Sequence, residues 1–100
     1  MKISKEWLLQ KIIAFLIIIH DCRDETIYAN DRSLYSEDLF YVTGWLKKLE
    51  IDGNIDFVLQ DILSPKTDKH FDYWRQGEWG EREMKGLSDL RKMIQEKVKS

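Results

Sequence analysis

The chain has 100 residues, 43% of them hydrophobic and 34% charged, a balance that fits one folded domain over residues 1–100 and argues against disorder. The net charge of −2 is too small for an acidic tail or a basic nucleic-acid-binding domain, and the single cysteine, Cys22, excludes an internal disulfide. One proline and five glycines favour long regular elements over a turn-rich β-sandwich.

At the start, Ser4 is placed to cap a helix, with Glu6 in the first turn where the helix dipole favours an acid. Beyond Lys11 the residues Ile12 to Ile19 are apolar without a break. A helix that is apolar on every side is expected to be enclosed by others, so this segment reads as a central buried helix. Ile12, Ile13, Phe15, Leu16 and Ile19 should be among its most buried residues. The β-branched run Ile17–Ile19 would suit a strand, but the length of the segment favours helix. Glu6, Trp7 and the absence of a small-residue cleavage site before His20-Asp21-Cys22 speak against a signal peptide. The apolar run also falls well short of the roughly 20 residues that span a bilayer. A cytoplasmic protein without a membrane segment is the expectation.

Residues His20 to Asp31 are polar and acidic and read as a connector. Ser33 or Ser36 then offers a cap, with Glu37 and Asp38 in the first turn of a helix whose apolar stripe is Leu39, Val42, Leu46 and Leu49. Lys47 and Lys48 suit its last turn. Gly44 inside it costs about 1 kcal/mol against alanine, which suggests a close helix crossing. Asp52-Gly53-Asn54 forms a turn, and Asn54 caps a further helix with Ile55, Val58, Leu59, Ile62 and Leu63 inward. Ser64-Pro65 ends that helix, because a residue before proline avoids helical angles. Residues 66–80 suggest a short helix and a loop. Glu81 and Glu83 open a last helix with the stripe Met84, Leu87, Leu90, Ile94 and Val98, ending in Lys97 and Lys99. The expected fold is therefore all-α: a compact bundle of four principal helices plus a short extra one, with three amphipathic helices around a buried N-terminal helix.

No catalytic or cofactor motif emerges. His20, Cys22 and His70 lack the paired spacing of a zinc site, and a buried thiol at a helix end explains Cys22 without a metal. Asp52-Gly53-Asn54-Ile55-Asp56 resembles the start of a calcium loop, but Phe57 and Leu63 stand where that loop needs glycine and glutamate. Phosphate-cradling glycine loops and a nucleophile elbow are absent. The expectation is a protein that is not an enzyme and takes no cofactor.

Charge is distributed unevenly. Residues 21–38 hold six acids against two bases, and residues 50–61 hold four acids and no base. The segment from His70 to Trp79 is rich in Tyr, Trp and Arg, the residue types that dominate interface hot spots. Its alternative reading is a core plug formed by Phe71 and Trp74. Together these features suggest a small inhibitor, immunity protein or antitoxin that neutralises a toxin or enzyme, such as a nuclease, by covering its surface. The contact residues would be Asp52, Asp56, Tyr73, Trp74, Arg75, Glu78 and Trp79, facing another protein with a basic surface. The alternative is a DNA-binding regulator built on the helix-turn-helix-like middle, which the acidic flank disfavours. An accessory subunit of a larger complex fits the same residues as the inhibitor does.

Overall fold

The computed structural model describes residues 3–25, 32–71 and 78–99, with side chains described at 3–21, 38–71 and 81–99. Four α-helices carry the fold: α1 (Lys5–Glu25), α2 (Arg32–Lys47), α3 (Ile55–Leu63) and α4 (Glu78–Lys99). A π-helical turn, Lys48–Asp52, continues α2, and a 3-10 helix, Pro65–His70, follows α3. Among the described residues there is no strand, so the fold is all-α.

α1 starts as its sequence dictates. The Ser4 hydroxyl accepts the Trp7 amide at 3.1 Å, satisfying a donor that no helical carbonyl can reach. The helix does not stop at Ile19 but runs through His20 and Asp21 to Glu25, because no glycine or proline interrupts that stretch. The expected connector from His20 to Asp31 is thus helical over its first half, and its remainder lies outside the described residues.

Leu8, Ile12, Phe15 and Ile19 form a fully buried line at spacings of four, three and four. The opposite side is open: Ile13 is 44% and Ile17 56% exposed, and Leu16 is only partly buried. α1 is therefore not enclosed. α2 and α4 pack against it, whereas α3 packs on the π-helical turn, the 3-10 helix and α4. An apolar sequence on every side does not compel burial on every side when two neighbours cover only one half.

The inward line of α2 is Asp38, Val42, Trp45 and Leu49, with Leu39 and Leu46 on its flanks rather than at its centre. Ser33 and Ser36 lie within the helix, not ahead of it. Gly53 then takes φ 63°, a left-handed conformation that glycine adopts at little cost, and its amide closes on the Leu49 carbonyl at 3.0 Å. Asn54 caps α3 by accepting the Phe57 amide at 3.1 Å. Val58, Leu59 and Ile62 face inward, while Leu63 is exposed. The helix ends at Ser64, extended before Pro65.

α4 begins at Glu78, so Glu81 and Glu83 lie inside it. Leu87, Leu90 and Ile94 are buried, and Val98 is exposed near the end. The close crossing is at Gly86, where an added Cβ would stand 3.1 Å from two Phe15 ring carbons and 3.3 Å from Ile18. At Gly44, where the sequence suggested it, an added Cβ would meet nothing within 4 Å. Between the helices the Phe15 ring is 5.7 Å from Phe71 and 6.4 Å from Trp45, measured between centroids. Phe71 is fully buried, so that member of the aromatic segment is core.

Candidate interaction surface

Two polar hubs fix the middle of the chain. The first is Asp61 on α3, whose Oδ2 accepts the Tyr41 hydroxyl at 2.7 Å and the Trp45 indole N–H at 2.8 Å. Thr67 donates to the Asp61 carbonyl, and the His70 ring stacks on Tyr41 with centroids 3.8 Å apart. Burial raises the Tyr41 phenol above its usual 10. The second hub is Arg91 on α4. It donates from Nε to the Ile62 carbonyl at 2.7 Å and from Nη2 to the Ser64 carbonyl at 2.9 Å, and pairs with Asp68 at 2.7 Å. Together the hubs lock α2, α3 and the 3-10 helix into one frame.

A third polar feature was not anticipated from the sequence. Asp38 on α2 and Glu83 on α4 are both fully buried, and the Asp38 carboxyl is one of the groups that act on Glu83. Two carboxylates offer each other only acceptors and like charge, so a buried pair of them favours the form in which one holds a proton. Burial lifts the Glu83 carboxyl to about 8, with Asp38 drawing it partly back, so Glu83 holds that proton near neutral pH.

Of the expected contact residues, the structure brings Asp52 and Asp56 to one exposed end of the π-helical turn and α3. Asp52 pairs with Lys48 at 3.4 Å, both half exposed. Tyr73, Trp74 and Arg75 lie outside the described residues. Glu78 and Trp79 stand in the first turn of α4, so Trp79 sits in a helix rather than in a loop between Gly77 and Gly80; their side chains lie outside the described ones.

Among the described side chains, the most exposed large apolar ones are elsewhere. Phe40 is 78% and Ile51 77% open to solvent. With Gly44 and Lys47 they fall at i, i+4, i+7 and i+11, which is one line along the outside of α2 and its π-helical extension. Beside the Ile51 end, Leu46, Lys47, Glu50 and Ile51 line a shallow cleft of about 280 Å³. Phe57 is half exposed nearby, with the Lys48 ammonium 5.4 Å from its ring centre. The signal in the sequence was a second apolar line, Phe40 and Ile51, out of register with the buried one.

A second cleft, about 300 Å³, is lined by Trp7, Lys11, Met93, Glu96 and Lys97. Lys11 and Lys97 each stand within 6 Å of the centre of the partly buried Trp7 ring, at 5.6 and 5.8 Å. Among the described residues no group of three His, Cys, Asp or Glu side chains could hold a metal ion. In the calcium-like segment Asn54 spends its side-chain oxygen on the Phe57 amide. Among the described residues no helix is long and apolar enough to cross a membrane. Compared with protein-family models, curated proteins and solved structures, the chain matches none.

Proposed function

We propose that this protein acts by binding another protein, as a small cytoplasmic inhibitor of the immunity or antitoxin type, and that it performs no catalysis of its own. The observation that carries the reading is the outer line of α2. Two large apolar side chains, Phe40 and Ile51, stand more than three-quarters exposed on one face. Scattered exposed apolar groups are ordinary in a soluble protein. Two on one line, flanked by a cleft and by exposed Glu50, Asp52 and Asp56, match the make-up of an interface with an apolar centre and a charged rim.

The acidic rim suits a partner with a basic surface, such as a nuclease, because complementary potentials speed encounter. The DNA-binding alternative draws no support from α3. Its sequence, IDFVLQDIL, carries no Lys or Arg and presents Asp56, Phe57, Gln60 and Leu63 to solvent.

The test is affinity capture of the full chain from its native cells, with Phe40→Ser/Ile51→Ser as the comparison. A stoichiometric protein retained by the natural chain and lost by the double variant, with unchanged melting, supports the proposal. Recovery of nucleic acid that washes off steeply with salt would replace it by the DNA-binding reading.

A further inference from the structure

Glycine in the middle of a helix costs about 1 kcal/mol relative to alanine, and such a residue usually repays the cost by letting another backbone come close. Gly86 does so: an added Cβ there would press on the Phe15 ring at 3.1 Å. Gly44 does not, since an added Cβ there would meet nothing within 4 Å. It lies partly buried on the outer line of α2 with open space in front of it, Phe40 one turn before it and Ile51 about two turns after it. The distance from Phe40 to Ile51 is eleven residues, or about 16 Å along the helix axis, which three turns of another helix would cover.

A strand is a poor occupant, because it binds by pairing with free backbone groups, and the backbone groups within α2 are already spent on its own turns. A helix needs only an apolar line and room at the crossing point, where interaxial distances shrink toward 8 Å if one residue is small. Charge selects among helices. At the Ile51 end, Glu50, Asp52 and Asp56 are exposed, and the C-terminal carbonyls of the π-helical turn add negative potential. Lys48 is committed to Asp52 and the Phe57 ring, leaving Lys47 as the cation on the line itself.

Resting on the protein-binding reading above, we infer that the outer face of α2 receives an amphipathic, basic α-helix of the partner, which crosses at Gly44, lays its apolar stripe on Phe40 and Ile51, and sets Lys or Arg beside Glu50, Asp52 and Asp56.

The probe is a synthetic helical peptide of about 16 residues, leucine on one face and lysine on the other, with a leucine/glutamate peptide of the same pattern as control. Titrated against the full chain, the lysine peptide should bind at least tenfold more tightly than the glutamate one. Gly44→Leu, which fills the crossing point, should weaken lysine-peptide binding at least tenfold while the chain melts no earlier than before. Equal binding of both peptides, no binding of either, or undiminished binding to Gly44→Leu would overturn the inference. Sedimentation of the chain alone adds one more outcome: a dimer abolished by Gly44→Leu would make the occupant a second copy and overturn the partner helix. In affinity capture, a partner retained by Gly44→Leu but lost by Phe40→Ser/Ile51→Ser would refute the helix crossing and leave the protein-binding reading standing. A partner retained by both would remove α2 from that reading.

Discussion

Phe15 crowds Gly86: a Cβ at position 86 would stand 3.1 Å from two of the ring's carbons, closer than an ordinary van der Waals contact. Phe15 cannot readily retreat, because it is buried between Trp45 and Phe71. Gly86→Ala gains helix propensity of about 1 kcal/mol but forces the ring against its neighbours, and overpacking costs roughly 1–3 kcal/mol. A net loss of about 1 kcal/mol is expected, read as a lower denaturant midpoint at unchanged slope. Gly44→Ala, with open space at its side chain, should raise the midpoint. The same substitution thus changes sign between the two glycines.

Stability should fall as pH rises from about 4.5 to about 8. In the folded chain Glu83 keeps its proton up to about 8, whereas an unfolded glutamate releases it near 4.5. Between those values the unfolded state binds fewer protons, so each pH unit costs up to about 1.4 kcal/mol, and above about 8 this loss levels off. Glu83→Gln keeps a donor toward Asp38 without titrating. Unfolding free energies measured across this range should slope downward for the natural chain and less so for the variant. Parallel slopes would show that the pair does not share a proton.

Arg91→Ala removes three contacts to the end of α3 and the 3-10 helix. Charge-assisted hydrogen bonds of this kind contribute about 1.5–3 kcal/mol, and the partial exposure of Arg91 and Asp68 places the loss near the lower end, at roughly 2 kcal/mol. Arg91→Lys should recover only part of it, because one ammonium cannot reproduce the fork that serves both carbonyls. Chemical denaturation of the three proteins orders them as natural chain, lysine, alanine.

Asp61 offers a paired comparison. Asp61→Asn retains a side-chain oxygen for Tyr41 and Trp45, and Asp61→Ala leaves both donors without it. The alanine variant should lose about 2 kcal/mol more than the asparagine one, and its tryptophan emission should shift with the lost indole bond. Equal losses would mean that water replaces the carboxylate.

Periodicity read the fold class well because every amphipathic helix here hides one face. The Ser4 and Asn54 caps and the proline stop at Ser64 were equally legible, since each is a local arrangement of a few residues. What escaped was set by how many neighbours each helix acquires. Ile13 looks as core-like as Ile12 until the main contacts of α1 turn out, among the described residues, to come from α2 and α4 on one side. Gly44 and Gly86 are indistinguishable in sequence, and only the position of Phe15 separates them. Asp38 and Glu83 read as first-turn acids, because a partner 45 residues away has no local signature. Of the surface, Asp52 and Asp56 were legible as charge. Phe40 and Ile51 were hidden among residues that a helix of this composition would be expected to bury.

The way α1 is flanked also orders events during synthesis. α1 and α2 leave the ribosome first and can meet at once, placing Phe15 near Trp45. The other flank of α1 stays bare until Gly86 and Leu87 have been made, some forty residues later, which at 5–20 residues per second is a delay of roughly 2–8 seconds. Through that interval the nascent chain carries Phe15 and Ile18 uncovered, beside Ile13 and Ile17, which the finished protein also leaves open. The chain is therefore most in need of chaperone cover while it is about four-fifths made. Translation pauses placed after residue 70 should lower its yield more than pauses placed before residue 20.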